Sequence, residues 1–479
     1  MRLLHKSATS IVVCALAFFA VYPASADVST QDGRVPNIVL ILADDLGFGD
    51  LGCYGQKEIE TPSLDRMARE GMRFTNFYAG ATVCAPSRCV LMTGLHTGHC
   101  VVRGNAGKLK PEIQDLRDKD VTMAEVLQQA GYATSLCGKW GLGDEGSAGI
   151  PTKQGFNHFF GYLNQHHALN YYPAFLFRNT ERVPLKNVVP GEGPFGSNVA
   201  TSKVEYSHDV IAAEALQKLN SRATDAKPFF LYLALTLPHA NNEAKKEGME
   251  VPELGKYANR DWPSPQKGHA AMVTLLDTTV GRVLKLLKER NLDENTLVIF
   301  SSDNGPHAEG GNDPLFNDSN GPLKGKKRDL TDGGIRVPFI ARWPGKIQAD
   351  SENSFVGGFQ DLLPTFAELA QAQKHLPKNL DGLSIVPTLL GQAGQQQHDH
   401  LYWAFYEGAA GQALRQGKWK AIQQPYHSPV RLYDITSDPG EEHDLAAEHP
   451  ALVRELATKL NADNIASDRW KFPEKGAKK

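Results

Sequence analysis

Four apolar runs along this chain each stop at a polar cluster, and that repetition restricts the folds open to it. Val35 to Ala43 stops at Asp44-Asp45, and Tyr132 to Cys137 runs into Gly138-Lys139. Pro228 to Leu237 ends in Pro238-His239, and Thr296 to Ser302 in Asp303-Asn304. A short, almost wholly apolar run marks a strand covered on both faces of a parallel sheet. Amphipathic segments separate the runs: Thr61 to Gly71, Thr122 to Gly131, Ser207 to Leu219 and His269 to Glu289. The last carries Met272, Leu275, Leu276, Val280, Val283 and Leu287 as an apolar stripe. Ile335 to Trp343 reads as a further strand and Phe359 to Ala372 as a further helix. Helices alternating with buried strands predict an α/β fold, a doubly wound and mostly parallel sheet flanked by helices. Sites in such sheets form outside the carboxyl ends of the strands. The four polar clusters are therefore expected at one sheet edge, as one site.

With 479 residues the chain can bury a large domain and a smaller one. Near Leu390 the composition shifts: Gly391 to Gln397 reads as a linker. Short strands follow at Leu401 to Tyr406, Lys418 to Gln423 and Arg431 to Ile435, then a closing helix from His449 to Asn464. The expected organisation is a catalytic α/β domain over 34–390 and a small sheet-plus-helix subdomain over 398–470. Gly143 to His208 has little periodicity and reads as long binding loops. A net charge of -3, mixed along the chain, argues against a nucleic-acid-binding face, so anion selectivity must come from a local pocket. Arg2 and Lys6, the apolar Ile11 to Val21 and the small Ala24-Ser25-Ala26 predict a signal peptide over 1–26. The apolar run is too short to span a membrane, so no stable insertion is expected. The destination is a periplasm or the exterior.

Thr82 to Gly94 holds the chemistry. Pro86 suits the first turn of a helix and Gly94 its far end, which puts Cys84 at the N-terminus, where backbone N–H groups favour an anion. Arg88 falls four residues on, along the same face. Asp44, Asp45, Asp303 and Asn304 offer only oxygen, which calls for a hard cation. Ca²⁺ suits so irregular a set, with Mg²⁺ possible. If Cys84 is oxidised, Cys53, Cys89, Cys100 and Cys137 remain as two disulfides or four thiols.

Cys84-Ala85-Pro86-Ser87-Arg88, followed by Leu91-Met92-Thr93-Gly94, resembles the signature of the formylglycine-dependent (type I) sulfatases, arylsulfatase-like enzymes with an alkaline-phosphatase-like fold. The Leu432 to Pro439 turn resembles that family's small antiparallel C-terminal subdomain. The resemblance implies that a formylglycine-generating or equivalent maturation enzyme oxidises Cys84 to Cα-formylglycine, whose hydrate attacks sulfur. It implies a metal held by Asp44, Asp45, Asp303 and Asn304 together with Cys84. Arg88 would hold the hydrate, Lys139 and Lys327 the sulfate oxygens, and His239 would protonate the leaving oxygen. Lys327 is picked out of the basic run by its register between Leu323 and Asp332-Gly333-Gly334-Ile335-Arg336.

One position departs from the family. Where many members read Gly-Lys-x-His-x-Gly, this chain has Gly138-Lys139-Trp140-Gly141-Leu142-Gly143. The missing histidine is the one associated with sulfate release, and His166, His167 or a water is expected in its place. His158, His166, His167, Asn170, Tyr171 and Tyr172 are candidates to meet a sugar. A sulfated carbohydrate is the expected substrate, with an aryl sulfate as alternative. Rival readings are a formylglycine-dependent phosphodiester or phosphonate hydrolase and a non-catalytic protein that binds sulfated glycans. Two-zinc phosphatases place Asp-His where this chain has Asp303-Asn304.

Overall fold

The structure is a computed structural model that describes residues 34–105, 111–222, 225 and 227–474. The expected signal peptide lies outside the described residues, among which no helix is long and apolar enough to cross a membrane. In chain order the strands of the larger part are β1 (Asn37–Ala43), β2 (Met72–Phe74), β3 (Phe77–Tyr78), β4 (Ala133–Lys139), β5 (His158–Tyr162) and β6 (Phe175–Arg178). They continue as β7 (Glu181–Pro184), β8 (Phe229–Ala234), β9 (Thr296–Ser302), β10 (Phe339–Arg342), β11 (Ser351–Asn353) and β12 (Gly357–Gly358). The helices are α1 (Pro62–Arg69), α2 (Cys84–Thr93), α3 (Met123–Gln129), α4 (Ser207–Ser221), α5 (Ser264–Glu289), α6 (Asp332–Ile335), α7 (Leu362–Leu369) and α8 (Val386–Leu389).

The main sheet runs β11-β2-β10-β9-β1-β8-β4-β5-β6-β7. Its centre, β9-β1-β8-β4-β5, is parallel throughout, and antiparallel pairing begins at β10 on one side and β6 on the other. Strand β1 shows why an unbroken apolar run was needed. Ile38, Leu40 and Leu42 enter one hydrophobic core, with residues of α2, α3 and α7, while Val39, Ile41 and Ala43 enter another, with residues of α1, α4 and α5. The expected α/β class holds.

Three local expectations shift. The stretch expected as loops contributes β5, β6 and β7, all short, with charge in β6 and β7. Of Ile335 to Trp343 only Phe339–Arg342 is strand; Ile335 closes the short helix α6, and Pro338, lacking an N–H, stands just before the ladder begins. The small sheet has four strands, β13 (Leu401–Phe405), β14 (Gly411–Gln416), β15 (Trp419–Gln423) and β16 (Arg431–Asp434). The polar character of Gly411–Gln416 had hidden the second.

This antiparallel sheet is covered on one face by α9 (Pro450–Asp463), through Leu456 and Leu460. Its other face packs Trp403, Ala413 and Ile422 against Tyr78, Val83, Leu330 and Ile335. A buried ion triad crosses the junction. Lys420 Nζ lies 2.5 Å from Asp332 Oδ1 and 3.3 Å from Glu441 Oε1, with all three side chains shielded from solvent. Lys420→Met is expected to destabilise the protein by about 3–5 kcal/mol, because Glu441 stays buried without its cation and Asp332 keeps only its ion pair with Arg336, 3.4 Å away. The urea midpoint reads this directly, and an unchanged midpoint would refute the role.

Candidate active site

The four polar clusters do meet at the carboxyl edge of the parallel strands. Asp44 and Asp45 follow β1, Lys139 ends β4, His239 lies beyond β8, and Asp303 and Asn304 follow β9; all six are buried. Successive strand residues face opposite sides, but Asp45 takes a left-handed φ of 64°, tolerable for Asp, and the alternation breaks there. Asp44 then meets Lys139, and Asp45 meets Lys327 and Asn304.

Helix α2 begins at Cys84, with Val83 as an N-cap that offers no side-chain acceptor and Gly94 closing the far end at a φ of 68°. The whole helix is buried. The Cys84 thiol donates to Asp44 Oδ1 at 3.4 Å. Arg88, one turn on, donates from Nε and Nη2 to Asp303 Oδ2 at 3.0 and 2.8 Å and from Nη1 to the Lys139 carbonyl at 2.8 Å. Lys139 Nζ donates to Asp44 Oδ2 at 2.6 Å. Lys327 Nζ donates to Asp45 Oδ2 at 2.8 Å and to His239 Nε2 at 3.1 Å. The His239 Nδ1–H donates to the Ala240 carbonyl, which leaves Nε2 as the acceptor.

Burial opposes the charge of every one of these groups, and their neighbours decide the outcome. Against its burial, Asp44 is held well below the usual carboxylate range by Lys139, His239 and Arg88. Asp45 is likewise lowered against its burial, chiefly by Lys327. Asp303 goes the other way: burial and then the Asp44 charge push it up to about 7 despite Arg88. Burial, reinforced by Lys327, lowers His239 to about 4. Burial and then the Asp44 charge push the Cys84 thiol up.

Ligand atoms of Asp44, Asp45, Cys84 and His239 all lie within 4.8 Å of one another. The Asn304 Nδ2 amino group donates to Asp45 Oδ1 at 2.7 Å, while Asn304 Oδ1 is buried without a hydrogen-bond partner among the described residues. An amide oxygen left so, beside three carboxylates, fits a hard cation better than it fits water-free packing.

Above these groups opens a cleft of about 620 Å³, whose wall includes Cys84, His239, Lys327 and His166. His167 is not among the described residues lining it. That ring is buried and stacked on Phe195 at 4.5 Å, and burial takes it down to about 3. His166 keeps its Nδ1 3.7 Å from Glu243. His158 lies in β5 against Glu214, and the Tyr171 hydroxyl sits 2.8 and 2.6 Å from the carbonyls of Thr236 and His239, bracing the histidine from below. The space beside Gly141 is taken by Gln165. Cys53, Cys89, Cys100 and Cys137 are free thiols.

Sequence reasoning missed three contributors. Glu309 pairs with Lys327 and Arg328. Asn105 accepts the Ala85 N–H at 3.2 Å, and Glu407 from the small sheet accepts the Asn105 N–H at 2.6 Å. Carboxamides recur in the cleft wall: Asn105, Gln114, Asn164, Gln165 and Asn242.

Residues 36–372 match the family model described as sulfatase, and residues 325–466 the one described as N-sulphoglucosamine sulphohydrolase, C-terminal. The N-acetylgalactosamine-6-sulfatase of Canis lupus familiaris is 33% identical over 396 residues, covering 81% of this chain and 71% of that protein. The N-acetylgalactosamine-6-O-sulfatase of Bacteroides thetaiotaomicron is 30% identical over 503 residues, covering 90% of this chain and 94% of that protein. Among solved structures, Ps i-CgsB in complex with k-i-k-neocarrahexaose superposes with a TM-score of 0.76 at 27% identity, covering 92% of this chain and 96% of that one.

Proposed function

The chain belongs to the sulfatase family, and from that premise we propose that it hydrolyses a sulfate ester of a carbohydrate, using Cys84 oxidised to Cα-formylglycine and one bound Ca²⁺ or Mg²⁺. The observation that carries this reading is the placing of Cys84 at the start of α2, 3.4 Å from Asp44, at the floor of the cleft. Asp44, Asp45, Asp303 and Asn304 would hold the cation, with the group at position 84 beside it. When in place, the cation supplies a Lewis acid and the hydrated aldehyde a hydroxyl nucleophile.

The chain's own residues do the rest. Arg88 is fixed by Asp303 and the Lys139 carbonyl, so its guanidinium holds the position 84 side chain in one orientation. Lys139 and Lys327 present ammonium groups to the sulfate oxygens, where negative charge develops in a buried setting. Lys327 would deliver the proton to the leaving oxygen, with His239 Nε2, which accepts from its ammonium, positioning it. Asp45 anchors Lys327, and Tyr171 beneath His239 limits its movement.

Five carboxamides and the carboxylates of Asp115, Asp144 and Glu192 face the cleft, against Leu169, Pro194 and Phe195. Such a wall offers hydrogen-bonding groups for the hydroxyls of a sugar and apolar surface for its ring face. The named relatives act on a sulfated sugar, as their names state. The signal peptide over 1–26 would export the enzyme to a periplasm or beyond, after a maturation enzyme has modified it. Residues 34–390 would form the catalytic domain, with 398–470 as a supporting one.

The test is sulfate release from sulfated mono- and oligosaccharides, with 4-nitrophenyl sulfate and phosphate esters alongside. Turnover of phosphate esters or phosphonates alone would overturn the reading. Elemental analysis should find one hard cation per chain; two zincs would mean a phosphatase. Removing the cation with a chelator should also lower the melting temperature. Restoring Ca²⁺ to 100 times its Kd should return about 2.7 kcal/mol of stability.

A further inference from the structure

We propose that the Gln165 carboxamide is a substrate-binding group, donating an N–H to an oxygen of the sulfate from the wall beside Gly141; this rests on the sulfatase reading. The backbone brings the two residues together. Beyond β4 and β5 the chains stay side by side, with the Trp140 N–H on the Tyr162 carbonyl and the Gly141 N–H on the Leu163 carbonyl, both at 2.9 Å. Gln165 therefore arrives beside Gly141, two residues beyond Lys139, whose ammonium sits on Asp44.

Glycine at 141 and glutamine at 165 form a matched pair. A Cβ at 141 would lie 2.3 Å from Gln165 Nε2 and 3.0 Å from its Cδ, and the backbone there has a φ of +81°. The carboxamide thus fills the space that a side chain at 141 would occupy. Its Nε2 is shielded from solvent and has no hydrogen-bond partner among the described residues. The nearby Gly141 carbonyl already accepts from Gln114 Nε2 at 2.8 Å. A buried amide nitrogen without an acceptor is destabilising until an acceptor arrives.

Gln165 shares its cleft with Cys84, Lys327 and His239. The terminal torsion of glutamine is soft, and a half-turn exchanges its N–H₂ and carbonyl ends. With Nε2 turned outward by that half-turn, a sulfate in the same cleft as Lys327 supplies the missing acceptor. A neutral amide takes up no proton near neutral pH, so Gln165 serves by donation and not as the base for sulfate release.

The experiment measures calorimetric binding of inorganic sulfate, the product, beside kcat/KM on a sulfated sugar. Gln165→Leu is expected to weaken sulfate binding and lower kcat/KM by about 10- to 100-fold each, the loss of one hydrogen bond to a charged group. Gly141→Ala should produce a similar defect by displacing the amide, and the double variant should add little to either single one. Gln165→Glu keeps the shape and reverses the interaction, so it should bind sulfate more weakly than Gln165→Leu. Wild-type sulfate affinity in either the Leu or the Glu variant overturns the proposal, and Glu gives the answer if Leu does not fold. A wild-type enzyme that binds sulfate through Gln165 yet releases none from any ester would overturn the sulfatase reading and leave this one standing.

Discussion

Replacing Cys84 by alanine is expected to abolish sulfate release and leave the fold standing. The sulfur is buried but weakly engaged, with one hydrogen bond of 3.4 Å to Asp44, and α2 is held by its whole buried length and by Arg88. Loss of one thiol leaves a small void. Loss of the nucleophile should cost roughly 10⁴- to 10⁶-fold in turnover. Cys84→Ser separates the proposed aldehyde from a simple nucleophile: serine offers one hydroxyl and lacks the second that lets sulfate leave. Full steady-state turnover by the serine variant would sink the formylglycine proposal. A peptide mass spectrum of active enzyme should show aldehyde or hydrate at position 84, and an unmodified thiol would sink it equally.

Arg88→Ala should lose both activity and stability. The guanidinium is fully buried and satisfies Asp303 twice, with Asp44 Oδ2 3.5 Å away. Removing it strands a carboxylate that burial and Asp44 already push up to about 7. Breaking such a pair destabilises by about 3–5 kcal/mol, a large share of the ~5–15 kcal/mol that holds most domains folded. Arg88→Lys should rescue little, because one ammonium cannot reach Asp303 and the Lys139 carbonyl from the same fork. Urea unfolding and kcat/KM on a sulfated sugar measure the two parts. A lysine variant equal to wild type in both would show that charge alone is required.

The parallel core was legible because burial on both faces leaves a continuous apolar run, as in β1 and β9. The polar residues that end those runs gave away the sheet edge. Lys327 could be chosen from its basic run only through family register, and the structure places its Nζ on Asp45 and His239. Strands β6 and β7 were hidden because the antiparallel pairs at the sheet's margin tolerate charge, and β5 because its run is only five residues long. Asn105 and Glu407 stand 302 positions apart, and no local pattern announces such a contact. His166 and His167 are neighbours in sequence, yet one borders the cleft and the other is buried under Phe195, a division set by tertiary packing.

The small sheet makes the active site a matter of timing. Trp403 donates its indole N–H to the Ala79 carbonyl, the Ala404 N–H reaches Thr97, Glu407 holds Asn105, and Gln424 holds the Leu330 N–H beside the lysine loop. These contacts to the region around the cysteine helix therefore come from residues made after the whole α/β part of the chain. Before residues 403–424 are made, these contacts are missing, and the loop at Arg328 and Asp329, bonded to Thr82, is what covers that side of α2. On the proposed reading, an enzyme that oxidises Cys84 would have this interval in which to reach the sulfur, before the small sheet docks. A product cut short before residue 401 would carry every described residue that lines the cleft but lack the Glu407 contact that fixes Asn105 at the start of α2.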